Sequence, residues 1–248
     1  MLYAAHMGQI VAIASPKGGV GKSTEAINQP AIFAAHQPGI RQLVVDADDN
    51  RTAADCLRRC PERALPGVDV DTLDDPSALA KLRRIRDRGL YDLIWVDLPG
   101  AKKTGELEAI LRGDREEPVP DLVIMPMKPS TFDLRVVVRA VRHDIASAGV
   151  DYGVLLTMVN SQALNAAIGW RNQLEGMNIS TFSTLVREYS DYQHATAEDL
   201  PINHYGGKRA YARKAEDDQR ALAREIARRL NIDITIPTRE QEAGLSHA

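Results

Sequence analysis

The chain has only two cysteines in 248 residues, Cys56 and Cys60. They stand four apart in a stretch of helical character, Thr52 to about Arg59, with no second pair and only scattered histidines. A structural zinc site or iron–sulfur cluster is therefore not expected, and two thiols in a reducing cytoplasm suffice. Long apolar runs are also lacking: none approaches the roughly 20 residues that span a bilayer. Met1 to Met7 lack the basic start and long apolar core of a secretory signal, so residues 1–8 are read as an extension. No linker-like composition shift divides the rest of the chain, which predicts one domain over 9–230 and a tail over 231–248. The tail carries Pro237 and acids with little amphipathic order, unlike a basic membrane-binding helix, so no membrane partner is expected. Nor is there an excess of one charge sign: 31 Lys and Arg against 34 Asp and Glu give a net charge of −3. Any nucleic-acid contact must then come from a local patch.

What is present starts with Ser15-Pro16-Lys17-Gly18-Gly19-Val20-Gly21-Lys22-Ser23-Thr24. It follows a buried-strand run, Ile10 to Ala14, and precedes a helical segment, Ser23 to Ala35, which Pro30 is expected to kink or end early. Between a strand and a helix, glycines let successive N–H groups turn inward around a polyphosphate, and the helix start adds its own unpaired N–H groups. Lys22 would reach the β- and γ-phosphates and Ser23 would ligate Mg2+. Gly18, Gly19, Val20, Gly21 and Thr24 complete the cradle. The pattern G-x-x-x-x-G-K-[ST] fails at one position, where Pro16 replaces the first glycine and Lys17 heads the loop.

These residues resemble the deviant Walker A motif, K-G-G-x-G-K-[ST], of the ParA/MinD group of P-loop ATPases. The resemblance implies an α/β fold with a doubly wound, mainly parallel sheet. It implies ATP and Mg2+ as ligands, and a homodimer in which Lys17 crosses to the partner's nucleotide. Asp46-Ala47-Asp48-Asp49-Asn50, after the expected strand Gln42 to Asp46, resembles the family's D-x-D-P-Q segment with Asp49-Asn50 in place of Pro-Gln. By that resemblance Asp48 positions the hydrolytic water and Asp46 supports the metal. Tyr91 to Asp97 reads as a near-continuous apolar strand whose terminal Asp97 matches the Walker B carboxylate, a further metal residue. Leu98-Pro99-Gly100 falls where the family places its second switch, and Lys102-Lys103 comes just after it. Asn160, ending the strand Tyr152 to Val159, is a candidate for the purine edge, and Pro201 lies in the segment that the family brings near the adenine.

Between these points the sequence predicts a loop over 61–76 with a short strand at Val68 to Val70, a helix over Ser77 to Arg88 capped by Ser77, and a helix near Gly105 to Arg112. A strand is expected over Asp121 to Pro126, followed by a strand exit and helix cap within Met127 to Asp133, a segment that resembles the P-x-x-P-S-x-x-D stretch of small ParA proteins, and a helix over Leu134 to Ser147. A helix over Ser161 to Glu175, a short strand over Asn178 to Thr181 and a long final helix up to Leu230 complete the order. From Lys208 to Leu230 there are eight basic and four acidic residues. Ala215, Leu222, Ile226 and Leu230 fall at core spacing, so the arginines should point outward. Lys208, Arg209, Arg213, Lys214 and Arg224 are the candidates for non-specific DNA contact through phosphates. The resemblance therefore implies a slow ATPase that partitions or positions DNA or another cargo, bound to the nucleoid in its ATP state and stimulated by a centromere-binding or cargo adaptor protein. The Asp48 to Arg51 variant also looks like accessory ATPases of conjugal DNA transfer. A metabolic ATP-dependent enzyme on the same fold would need a second polar constellation, which the sequence does not show.

Overall fold

The computed structural model describes residues 8–100, 105–112, 117–206 and 209–245. Its strands are β1 (Gln9–Ile13), β2 (Gln42–Asp46), β3 (Val68–Thr72), β4 (Leu93–Asp97), β5 (Leu122–Met127), β6 (Asp151–Val159) and β7 (Thr181–Arg187). Its helices are α1 (Lys22–His36), α2 (Thr52–Arg59), α3 (Lys81–Asp87), α4 (Glu106–Arg112), α5 (Thr131–Ala140), α6 (Ala146–Ala148), α7 (Leu164–Gly176), α8 (Ser190–Ala197), α9 (Ala210–Arg229) and α10 (Arg239–Leu245).

The seven strands form one sheet in the order β3-β2-β4-β1-β5-β6-β7. Every pairing is parallel, so the sheet expected to be mainly parallel is wholly so. That arrangement follows from strand composition: β1, β2, β4 and β5 are apolar almost throughout and buried on both faces, which requires helices above and below. One core lies under α3 to α7, with Ile94, Val96, Leu107, Val137 and Leu174. The other lies under α1, α2 and α9, with Val11, Ile27, Phe33, Trp95, Leu222 and Ile226. Trp95 is fully buried edge-on to Phe33, 5.4 Å between centroids, and its indole N–H donates to Gln42 at 2.8 Å. Burying such a ring is worth about 2–3 kcal/mol, and the hydrogen bond removes the cost of hiding its polar edge.

Several boundaries differ from expectation. Helix α1 runs through Pro30 to His36 because its flanking residues from Ala26 to Ala34 are all buried, and packing outweighs one lost backbone bond. The Ser77 to Arg88 segment is a 3-10 turn over Pro76–Ala80 followed by α3, so Ser77 does not cap the α-helix. Helix α5 does begin at a Ser130 cap, whose hydroxyl accepts from the Asp133 N–H, and it passes through a π turn at Val141–Ile145 into α6. The strand expected at Asn178 to Thr181 begins where that one was to end. Asn178 adopts φ 59°, and β7 pairs with β6 through register shifts that blur its alternation.

In this strand order β1 sits between β4 and β5, so connections leave it in opposite directions and open a crevice at the carboxyl ends. Ile13, Asp46 and Asp97 stand level there, as Ile13 pairs with Asp97 and Asp97 with Asp46.

Candidate nucleotide site

The loop after β1 is shaped by two left-handed glycines, Gly19 (φ 66°) and Gly21 (φ 92°), a backbone that side chains strain. It is pinned from beneath: buried Val20 offers its carbonyl to Thr157 Oγ1 at 2.8 Å, at the end of β6. Ser15 Oγ accepts from the Lys17 N–H at 3.3 Å. Lys22, the first residue of α1, is 7% exposed, and its Nζ has a single long contact of 3.5 Å, to the Lys17 carbonyl. Its ammonium is thus held under the loop and can take a stronger acceptor.

The three aspartates are not equivalent. Asp97 is fully buried, and among the described residues neither of its carboxylate oxygens has a hydrogen-bond partner. Burial pushes its pKa up to about 7; the facing Ser23 hydroxyl lowers it without a well-formed bond, Asp46 raises it further, and Lys22 eases it. A buried acid left unpartnered costs free energy unless a cation meets it. Asp46 differs. Its Oδ1 accepts from the Asp48 N–H at 3.0 Å and its Oδ2 from the Ala54 N–H at 2.9 Å. Asp46 thus shapes the loop that carries Asp48, and it stands level with Asp97 at the strand ends. Asp48 lines the cleft, half-buried, and its Oδ1 accepts from Asn50 N–H and Nδ2 at 3.1 and 3.0 Å. Asn50 thereby fixes the Asp48 side chain from within the variant segment. Arg51, in the left-handed region at φ 52°, closes the turn by donating to the carbonyls of Asp46 and Leu73 and pairing with Asp74 at 2.7 Å.

These groups surround a cleft of about 530 Å³ lined by the loop glycines, Lys22, Ser23, Thr24, Asp48 to Asn50 and Gly100. Lys17 is not among the lining residues. A Cβ placed on Gly100 would stand 3.8 Å from the Gly18 nitrogen, an ordinary van der Waals contact, so the second-switch segment lies beside the phosphate loop; Lys102-Lys103 lie outside the described residues. A second depression, of about 240 Å³ beside Gln9, Asp92 and Leu230, is at the opposite end of the strands, by the amino ends of β1 and β4.

A narrower groove continues the cleft between Thr24, Thr157, Met158 and the β7–α8 junction, Val186 to Tyr189, with Tyr192 and Glu25 in its wall. Neither Asn160 nor Pro201 lines it. Asn160 is exposed and its Oδ1 accepts from Gln162 N–H, the geometry of a strand end, while Pro201 is buried beside Ile202, whose N–H donates to Asn28 Oδ1. The sequence reading missed Glu25. It is buried, burial pushes its pKa up to about 8, and hydrogen bonds from Gln219 and Gln29 only partly offset this. Sequence gives little signal for it, since its neighbours on the helix face, Lys22, Asn28 and Gln29, are polar as well.

The basic helix divides into two parts. Arg209, Arg213 and Lys214 are exposed at the start of α9, while Lys208 lies outside the described residues. Arg209 stacks on Tyr205 and Lys214 on Tyr211. Farther along, the expectation of outward arginines is corrected. Arg220 is 9% exposed and paired with Glu216 and Glu242, Arg224 donates to the Ile236 carbonyl at 3.2 Å, and Arg229 holds the carbonyls of Tyr152 and Thr181 over the Phe182 ring. Apart from Glu216, one turn earlier in α9, those partners come from other elements, which one-dimensional charge spacing does not reveal. No helix among the described residues is long and apolar enough to cross a membrane.

Comparison with known proteins agrees with this geometry. Residues 11–202 match the CobQ/CobB/MinD/ParA nucleotide binding domain family. The chain is 33% identical over 220 residues to the maintenance of carboxysome distribution protein A of Gloeobacter kilaueensis, covering 89% of this chain and 94% of that one. Its fold is similar to the MinD cell division protein of Aquifex aeolicus, with TM-score 0.69 and 19% identity over 94% of this chain and 100% of that one. It is also similar to the septum site-determining protein MinD of Pyrococcus horikoshii complexed with Mg-ADP, with TM-score 0.62 and 18% identity over 89% and 96%. The glycine loop, the buried carboxylate beneath it and the match across most of the chain place this protein in the MinD/ParA family of P-loop nucleotide-binding proteins.

Proposed function

We propose that the cleft binds ATP with Mg2+ and hydrolyses it slowly, and that the nucleotide state switches the chain between a monomer and a face-to-face dimer that positions a cargo. The observation that carries this reading is Asp97, a buried carboxylate with no partner among the described residues, beside Ser23 and under the phosphate loop. Ser23 Oγ and Asp97, the latter directly or through water, would hold the ion. Among the described residues no group of three or more His, Cys, Asp or Glu could hold a metal alone, so nucleotide oxygens and water complete its shell. Mg2+, when bound, neutralises charge on the β- and γ-phosphates. Lys22 and the loop N–H groups bind the same oxygens, and the adjoining groove takes the nucleoside. Asp48, with Oδ1 fixed by Asn50, presents its other oxygen to orient the attacking water.

Lys17, at the head of the loop and outside its own cleft, supplies the charge that crosses to a second subunit. Binding the two nucleotide states with different affinity for the dimer makes the cycle a switch. The exposed Arg209, Arg213 and Lys214 supply a non-specific DNA contact on which such a dimer rides the nucleoid, and an adaptor protein stimulates hydrolysis. The carboxysome-distribution relative supports cargo positioning in general over plasmid partition in particular. The test is the mass of the protein in solution with ATP and with ADP. Asp48→Ala should form a stable ATP dimer that does not turn over, and adding Lys17→Ala should return it to monomer with ATP still bound. A Lys17→Ala/Asp48→Ala protein that dimerises normally would overturn the trans role of Lys17.

A further inference from the structure

Helix α9 is covered along one side, from Arg213 to Ala227, by the segment C-terminal to it. After Leu230 the chain turns back: Ile232 N–H donates to the Ala227 carbonyl at 2.8 Å, and Ile236, 4% exposed, is seated in the core beside α9. Beyond that anchor the segment is held by polar and ionic contacts. Arg239 pairs with Asp217 at 2.6 Å and with Glu216, and donates to the Arg213 carbonyl at 3.2 Å. Glu242 accepts from Arg220 at 2.5 Å and lies 3.7 Å from His36. The carbonyls of Ile236 and Pro237 accept from Arg224 and Arg220. Residues 231–245 hold Asp233, Glu240 and Glu242 against one arginine, whereas residues 213–224 beneath them hold four basic and three acidic residues.

We propose that residues 237–245 are a detachable acidic cover on a latent polyanion surface, and that Arg220 and Arg224 join the exposed Arg209, Arg213 and Lys214 patch when the cover lifts. The hinge is Ile236-Pro237, where the buried anchor ends. The argument is one of contact type. A segment held by ion pairs at a partly exposed surface is held weakly and is screened by salt, whereas the apolar anchor is not. A strand of phosphates offers the same arginines more negative charge than Glu242 does, and it displaces the cover by competition at those groups. Arg224 has the most to gain, since its pKa is lowered by burial and by the neighbouring Arg220 and Arg228, and its anchor on the segment is a neutral carbonyl.

The inference rests on the polyanion reading of α9, and its test separates the two. The probe is random-sequence duplex DNA, bound to the full chain with ATP and Mg2+ across a salt series. Arg239→Ala with Glu242→Gln opens the cover while removing one charge of each sign, so a gain in affinity is not a net-charge effect. The double variant should bind DNA about 3- to 10-fold more tightly at low salt, and its log–log salt slope should steepen by about one for each arginine released. Adding Arg220→Gln and Arg224→Gln should abolish the gain. Hydrogen exchange of the 239–245 amides in wild-type protein without DNA should accelerate from about 0.1 M to about 1 M salt, where the screening length falls from ~10 to ~3 Å. DNA binding that is equal in wild type and double variant, or exchange indifferent to salt, would overturn the cover while leaving the DNA reading intact. Absence of DNA binding in every variant and nucleotide state would remove both.

Discussion

Buried carboxylates stand on two sides of this molecule, and they are treated differently. On the β7–α9 side, Glu225 accepts from the Ser183 and Thr184 N–H groups at 2.7 and 2.6 Å and also from the Thr184 hydroxyl. Nearby, Asp218 takes the Arg187 N–H and both arms of its guanidinium. At the crevice, Asp97 has no partner among the described residues for either oxygen, and Glu25 has none for Oε2. An acid whose hydrogen bonds are complete is a fastening between elements. One left open in an otherwise well-satisfied interior marks a place where the chain is unfinished without a ligand.

That contrast breaks most visibly at Glu225. Glu225→Ala strands two amides that the acid now satisfies, and should cost about 2–4 kcal/mol of stability in urea denaturation. It should leave nucleotide affinity unchanged. A neutral effect there would mean that the β7–α9 fastening is incidental.

Glu25 tests the other half with a smaller effect and a sign set by pH. Its folded pKa of about 8 lies above the ordinary value of 4.5. Between those values the folded protein keeps a proton that the unfolded chain has lost, so stability falls as pH rises through that window. Glu25→Gln removes this dependence. The variant should gain on the wild type at pH 8 relative to pH 5, by up to about 3 kcal/mol, measured by denaturation at the two values. The same gap at both pH values would show that Glu25 keeps its ordinary pKa in the fold.

The same division explains what was legible in the sequence. Lys22, Ser23, Asp48 and Asp97 each sit at the end of a strand or the start of a helix, where spacing along the chain fixes position in space. The parallel sheet was legible for a similar reason, because apolar strands alternating with helices leave few other topologies. The hydrogen bonds of Asp46 were not legible, because they depend on the amides of Asp48 and Ala54 turning toward it. Nor were Arg220, Arg224 and Arg229, which count as surface charge in one dimension and are held in three by Glu242, Ile236 and Tyr152. Glu25 was missed because its partners Gln29 and Gln219 lie four and 194 residues away, and only the fold brings the farther one to it.

The central claim is that Asp97 is the open half of a Mg–nucleotide site, and calorimetric titration of ATP into the wild type and Asp97→Asn, with Mg2+ and with chelator, tests it most directly. The wild type should bind ATP at least tenfold more tightly with Mg2+ at pH 8, and that gain should shrink below about pH 7, where Asp97 takes up its proton. Asp97→Asn should bind ATP equally with and without the ion, and its nucleotide-free form should be about 1–3 kcal/mol more stable at pH 8. An Asp97→Asn protein that keeps the full Mg2+ dependence, or a wild type that binds no nucleotide, would contradict the account.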